Sequence, residues 1–171
     1  MNYVDFNFRT DKQVLGKRKY YPSRLTNSYR IYDLEIARMH FEDQHGEITC
    51  PYCNERAEMV QSGVVYGYNV DYWDRIIYLC KPCESWVGTH QRNLFPLGTL
   101  AKSDLRTLRY RTHSKFDRIW KEGHLSRKRA YQWLSKKMGI EFEKTHIGFF
   151  NEKQCQIVLA LVKNYFPHFF V

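Results

Sequence analysis

Two pairs of cysteines constrain the fold of this chain more than any other feature. The first pair lies in Cys50-Pro-Tyr-Cys53 and the second in Cys80-Lys-Pro-Cys83, with residues 54–79 between them. Each Cys-x-x-Cys turn places two sulfur atoms on one side of a tight bend, and structural zinc is usually held in a closed tetrahedron of such ligands. We therefore predict that Cys50, Cys53, Cys80 and Cys83 bind one structural Zn²⁺ and leave no coordination position open.

The segment between the cysteine pairs predicts a small antiparallel sheet. Residues 57–61, 63–66 and 75–79 are rich in β-branched and aromatic side chains, and the turn-rich segment 67–74 connects the last two. So small a sheet cannot bury enough apolar surface to be stable alone, and metal binding would supply the missing stability. These features predict a zinc ribbon. Four aromatic side chains in its loop either stack on nucleic-acid bases or form its small core: Tyr66, Tyr68, Tyr72 and Trp73.

The C-terminal third predicts helices. Apolar residues recur at helical spacing from Ser103 to Lys121, after Ser126 and after Asn151, and these Ser and Asn residues are suitable N-caps. Gly139 is suited to end the second helix, and Gln154 occupies the capping-box position of the third.

The predicted fold is α+β, with a four-cysteine zinc ribbon packed against a bundle of about three helices. The predicted domains are an N-terminal extension with one short helix (1–47), the zinc ribbon and its connector (48–100), and a basic helical module (101–171).

The positive charge of the chain lies in the helical module. Residues 101–171 contain 15 Lys and Arg against 6 Asp and Glu, an excess equal to the net charge of +9 of the whole chain. Such asymmetry is typical of a protein with a polyanionic partner or an acidic protein partner. Arg127, Lys128 and Arg129 would also occupy the first turn of a helix, where an outside phosphate would offset their unfavourable position. We predict phosphate contacts from Arg106, Arg109, Arg111, Lys115, Arg118, Arg127, Lys128, Arg129, Lys136 and Lys137.

Five further motifs follow the cysteine pairs: Trp86-Val-Gly-Thr-His90, Pro96-Leu-Gly-Thr-Leu-Ala101, His113-Ser-Lys-Phe-Asp-Arg-Ile-Trp120, Ala130-Tyr-Gln-Trp-Leu134 and His146-Ile-Gly-Phe-Phe150. In their order and spacing they resemble the uncharacterised zinc-finger-containing domain of many bacteriophage and mobile-element proteins, over residues from about 48 to about 165. The resemblance implies a zinc ribbon with a helical tail, the four cysteines as ligands, and a place in the cytoplasm of a bacterial host. It implies no biochemical activity.

The sequence does not predict an enzyme. It contains no phosphate-binding glycine loop, nucleophile elbow or His-Glu-x-x-His helix. His90, His113 and His146 either converge as a metal or acid–base site or tie the helices to the zinc ribbon through hydrogen bonds. No run of eighteen apolar residues exists, so no membrane span is predicted, and four of five cysteines in metal spacing favour a reducing cytosol.

The predicted function is nucleic-acid binding, to DNA in the first place, through phosphate contacts from the basic helices. The alternative is a protein-interaction factor that inhibits or redirects a host nucleic-acid enzyme or defence complex.

Two other segments leave alternatives open. Residues 16–24 mix basic and aromatic side chains and either grip nucleic acid or form a solvated arm. The apolar C-terminus, residues 166–171, either packs on the domain or meets a partner.

Overall fold

The computed structural model describes residues 42, 45–90 and 93–170. The basic and aromatic segment 16–24 lies outside the described residues, as does nearly all of the N-terminal extension in which one short helix is predicted. The fold is a small antiparallel sheet beside a set of helices, which confirms the α+β prediction. Its strands and α-helices are β1 (Glu58–Gln61), α1 (Gly63–Tyr66), β2 (Ile76–Cys80), β3 (Ser85–Gly88), α2 (Ser103–Phe116), α3 (Arg118–Lys121), α4 (Arg127–Met138) and α5 (Glu152–Tyr165). Three 3-10 helices complete it: Phe142–Lys144, Ile147–Phe149 and Pro167–Phe170.

The sheet has three antiparallel strands in the order β1-β2-β3. The central strand β2 is buried along its whole length, and Leu79 pairs with Glu58 on one side and with Trp86 on the other. The strand predicted over residues 63–66 is wrong, because this segment forms the short helix α1. Its preceding residue Ser62 has helical backbone angles and donates its hydroxyl to the Tyr72 carbonyl, which folds the segment back as a loop. The third strand is instead β3, directly after the second cysteine pair.

The helices follow the predicted caps with two exceptions. Ser126 accepts a hydrogen bond from the Arg129 backbone, and Gly139 ends α4 in the left-handed conformation. Asn151 and Gln154 form the reciprocal capping box of α5. The first exception is Ser103, which is the first helical residue and not the cap. The second is the break after Phe116, where the predicted single helix divides into α2 and α3.

Two separate groups of buried side chains form the interior. The first surrounds the cysteine pairs and the sheet, and the second fills the space between α2, α3, α4 and α5. Phe169, in the C-terminal 3-10 helix, is fully buried in the second group, so this end of the chain packs on the domain. Within the described residues, no helix has both the length and the apolar composition needed to cross a membrane.

A close backbone contact joins the connector to the helical module. The Thr99 amide donates to the Gly148 carbonyl over 3.1 Å. A Cβ atom at Gly98 would lie only 2.0 Å from the same oxygen, so a side chain cannot be placed there without moving the backbone. Glycine therefore serves here to let two chain segments touch, and the contact fixes where the zinc ribbon leads into α2.

Candidate metal centre and basic surface

Both cysteine pairs lie in tight turns, and both turns end on a residue with the same backbone conformation. In the first turn the Asn54 amide donates to the Cys50 carbonyl and the Cys50 amide donates to the Glu55 carbonyl, each over 2.8 Å. Asn54 and Glu84, which directly follow the second cysteine of each pair, both have positive φ angles, 64° and 51°. A residue in this left-handed conformation reverses the chain direction directly after the second cysteine, and each turn therefore keeps its two sulfur atoms close together.

The two turns bring the four sulfur atoms into one cluster. The Sγ atoms of Cys50, Cys53, Cys80 and Cys83 lie within 4.8 Å of one another, and those of Cys53 and Cys80 are 3.6 Å apart. Zn–S bonds of about 2.3 Å in a tetrahedron require sulfur atoms about 3.8 Å apart. The number, type and spacing of these donors fit a closed structural Zn²⁺ site, as predicted from the sequence. Cys50 and Cys80 are buried against the sheet, whereas Cys53 is exposed.

Ser85 supports the site from the sheet. This fully buried residue begins β3, and its Oγ lies 3.2 Å from the Cys50 Sγ. Burial opposes ionisation of Cys50, but hydrogen bonds from Ser85 and from the Tyr52 and Cys53 amides prevail and lower the pKa of Cys50 to about 6. A hydrogen bond to Cys53, with burial, raises the pKa of Cys83 to about 12. Zinc binding requires deprotonated cysteine ligands, so binding of the ion releases protons from the cluster.

Arg109 does not fit the predicted phosphate contacts, because its guanidinium points into the protein. Only 8% of the residue is exposed. Its Nε donates to the Phe150 carbonyl over 2.8 Å, and its two terminal nitrogens donate to the carbonyl and the hydroxyl of Thr99 over 2.8 and 2.7 Å. Arg109 therefore joins α2 to the connector and to the segment that precedes α5.

Three more predicted phosphate contacts are half-buried and bond to the chain itself. Arg106 lies over the Trp86 ring, 4.2 Å from its centroid, and donates to the Ala101 carbonyl. Lys115 and Arg118 both donate to the Phe169 carbonyl, and Arg118 also lies 4.2 Å from the centroid of the Phe169 ring. Cations on α2 and α3 are thus used to hold the sheet and the C-terminal 3-10 helix in place.

The other six predicted contacts are exposed, and five of them lie on α4. These six are Arg111, Arg127, Lys128, Arg129, Lys136 and Lys137. The sequence of α4 contains no Asp or Glu. Among the residues that the structure describes, none of the five α4 cations forms an ion pair with a carboxylate; Lys137 bonds to the Tyr165 hydroxyl. Five of the ten predicted contacts are therefore exposed together on α4, and Arg111 is the exposed one on α2.

Burial dominates the environment of His146, one of the three histidines of the motifs. Burial lowers the pKa of His146 to about 4, and the positive charges of His113, Arg127 and His90 act in the same direction. The His113 Nδ1 lies 3.7 Å from an Asp117 carboxylate oxygen. In the described part of the chain these histidines do not form a group with metal-ligand spacing. Their arrangement is that of a neutral, mostly buried imidazole near positive groups.

The aromatic side chains of the loop are exposed to a large extent. The exposed fractions of Tyr66, Tyr68 and Tyr72 are 44%, 60% and 39%. The ring of Tyr66 packs edge-on against Tyr72 and against Trp86, with centroids 5.3 and 5.2 Å apart. The loop therefore forms an aromatic surface on the zinc ribbon and does not fill its interior.

One comparison with known proteins finds a match, and the match includes the cysteine cluster. Residues 46–165 match the model of a protein family described as a zinc-finger-containing domain. Neither the comparison with curated proteins nor the comparison with solved structures finds a match for the chain. The matched region includes both cysteine pairs, the sheet and all helices from α1 to α5.

Proposed function

The chain belongs to the family of zinc-finger-containing domains, and from that premise we propose that it binds nucleic acid through α4. One observation carries the proposal: α4 presents five exposed cations without an acidic residue or a carboxylate partner among the described residues. Exposed Lys and Arg next to phosphates release condensed counterions, which supplies most of the affinity of nonspecific nucleic-acid binding. In this proposal the zinc ribbon has a supporting role.

The solvent side of α4 has the geometry of a phosphate-binding face. Ala130, Tyr131 and Leu134 face the interior of the protein. On the opposite side Arg129 and Lys136, seven residues apart, lie nearly above one another and about 10 Å apart along the axis, and Lys128 lies to one side of this line, one residue before Arg129. A helix that projects cations over such a length can follow several phosphates of one strand.

The start of α4 adds a second reason to expect an anion. Arg127, Lys128 and Arg129 occupy its first turn, where the helix dipole disfavours positive charge. The Ser126 side chain accepts a hydrogen bond from only one of the free amides, that of Arg129. A phosphate at this end would pair with both the side-chain cations and the remaining backbone donors.

The aromatic surface supplies a means to hold unpaired bases. The Tyr66 ring contacts both Tyr72 and Trp86, and the Arg75 and Arg106 guanidinium groups lie over Tyr72 and Trp86 respectively. Exposed rings beside cations are typical of surfaces that stack the bases of single strands. We include this surface in the proposal as the part that would favour single-stranded over duplex nucleic acid.

The test measures affinity against salt concentration for duplex DNA, single-stranded DNA and RNA of equal length. A variant with Lys128→Gln, Arg129→Gln and Lys136→Gln should bind more weakly, and the slope of log K against log salt should fall by about 3. The matched control is Lys144→Gln, Lys153→Gln and Lys163→Gln, which removes the same charge from exposed positions outside α4. Tyr66→Ala should weaken binding to single-stranded nucleic acid and leave binding to duplex DNA unchanged.

Three outcomes would overturn the proposal. The first is that the zinc-loaded protein shows no salt-dependent affinity for any of the nucleic acids. The second is that both triple variants lose the same affinity, which would indicate net charge and not α4. In the third outcome, the chain retains one protein from host lysate after nuclease treatment and binds no nucleic acid. That result would establish the protein-interaction factor instead.

A further inference from the structure

Three side chains with metal-binding atoms meet on the surface of the helical module, far along the chain from the cysteine pairs. They are Glu122, His124 and His168, and their ligand atoms lie within 4.8 Å of one another. We propose that these residues form a second metal site, open to solvent, for a divalent transition-metal ion such as Zn²⁺. The site is independent of nucleic-acid binding.

The three ligands come from two parts of the fold, since Glu122 and His124 share the turn between α3 and α4. Glu122 directly follows α3, His124 lies in the turn before α4, and His168 belongs to the C-terminal 3-10 helix. The His124 Nε2 is 4.0 Å from the Glu122 Oε2, and the two imidazole rings have centroids 5.4 Å apart. All three side chains are exposed, so small rotations can bring their ligand atoms to the closer spacing that a shared ion requires.

The surroundings restrict these ligands without blocking their metal-binding atoms. Arg118 donates its Nε to the Oε1 of Glu122, which orients the carboxylate and leaves Oε2 on the side of His124. The His124 and His168 rings pack against the buried Phe169, with centroids 5.6 and 4.6 Å away. Supporting contacts of this kind hold ligands near their bound positions and typically contribute 10- to 100-fold in metal affinity.

The donor set determines the class of ion. Two imidazole nitrogens and one carboxylate oxygen suit Zn²⁺, Co²⁺, Ni²⁺ or Cu²⁺ better than Mg²⁺ or Ca²⁺, which prefer oxygen ligands only. Three protein ligands leave at least one position for water, in contrast to the closed four-sulfur site. Because the ligands are exposed and Arg118 brings a positive charge nearby, this site should be the weaker of the two.

A bound ion would link the turn before α4 to the end of the chain. Lys115 and Arg118 already hold this end through the Phe169 carbonyl. A metal bridge from His168 to Glu122 and His124 would add a cross-link between the same parts. The expected consequence is metal-dependent protection of residues 166–170.

The experiment uses the full chain loaded with one equivalent of Zn²⁺ and titrated with Co²⁺ under calorimetric and optical detection. We expect one further equivalent to bind, with visible Co²⁺ absorption but no thiolate charge-transfer band, because no sulfur is involved. Residues 166–170 should exchange their amide hydrogens more slowly once Co²⁺ is bound. A variant with His124→Phe and His168→Phe keeps the ring packing and should lose the second equivalent, and Glu122→Gln should bind at least about tenfold more weakly.

The matched control is His90→Phe with His113→Phe, which removes two histidines outside the cluster. It should bind the second equivalent as the unchanged chain does. The proposal is overturned by the absence of a second equivalent at millimolar Co²⁺, or by a charge-transfer band that places the ion on the cysteines. Loss of the second equivalent in the control, with retention in the His124 and His168 variant, would equally overturn it.

Discussion

The zinc ribbon and the helical module stabilise themselves in different ways. The ribbon has a small interior, and two of its buried residues, Cys50 and Cys80, belong to the cysteine cluster. The helical module has a larger apolar interior that contains no metal ligand, and its one buried cysteine, Cys155, packs as an apolar side chain. The comparison shows that zinc replaces the apolar surface that a three-stranded sheet cannot bury, whereas the helices need no such replacement.

A second difference separates the cations of α2 and α3 from those of α4. Arg109 and Arg118 bond to carbonyl groups of the chain, whereas Lys128 and Lys136 project into solvent. The cations of the first set therefore contribute to folding, whereas those of the second set are available to a binding partner.

Removal of zinc should distinguish the two modules most clearly. Cys80→Ser, or treatment with a chelator, should cost the zinc ribbon on the order of 10 kcal/mol and unfold it, because its interior depends on the metal. The helices should remain folded, since their core contains no ligand. The measurements are the amide hydrogen exchange of β2 and α5 and, on the same samples, the number of zinc ions bound per chain.

Cys155→Ala is the matched control for the loss of a thiol. It removes a buried sulfur outside the cluster and should leave the zinc stoichiometry the same as in the unchanged chain. Unchanged protection of β2 after complete chelation would contradict the assigned role of the metal.

Substitution of Arg109 should be the most costly change among the cations. Arg109→Met removes three hydrogen bonds and leaves the Phe150 and Thr99 carbonyls without this donor, for a loss of about 4 kcal/mol. The exposed Arg111 on the same helix is the control, and Arg111→Met should change the free energy of unfolding by less than about 0.5 kcal/mol. Urea denaturation measures both, and equal effects would refute the division of the cations.

The buried imidazole of His146 should make stability dependent on pH. Its pKa is lowered from 6.5 to about 4 in the folded protein, so the unfolded chain binds more protons between these values. The contribution is complete above about pH 6.5 and decreases as the pH falls, by about 3 kcal/mol near pH 4. His146→Gln should flatten the curve of unfolding free energy over this window. Parallel curves for the two proteins would contradict the assignment.

The exposed cations of α4 should have the smallest effect on folding. The triple change Lys128→Gln, Arg129→Gln and Lys136→Gln should leave the free energy of unfolding within about 0.5 kcal/mol. A gain of a few tenths is expected, because Lys128 and Arg129 oppose the helix dipole. Thermal and urea denaturation check this value. A loss of more than about 1 kcal/mol would show that these side chains have a structural role.

Local signals in the sequence predicted much of the fold. The cysteine spacing predicted the metal cluster, and Ser126, Gly139 and Asn151 predicted helix ends, because each acts on residues within one turn. The segment 63–66 was misassigned to a strand because its two valines favour β structure, whereas the Ser62 and Gly63 contacts to the far side of the loop decide otherwise. Ser85 carried no signal, since its contact with Cys50 spans 35 positions.

By itself, the sequence determined the zinc ligands, the α+β class and the location of the charge excess in the last third of the chain. Only the tertiary structure decided which cations are internal, because partners such as the Phe150 and Phe169 carbonyls are remote in sequence from α2 and α3. It also brought His168 beside Glu122 and His124, which share one turn of the chain. Spacing within one turn is visible in a sequence, whereas contacts between distant segments arise only when packing brings those segments together.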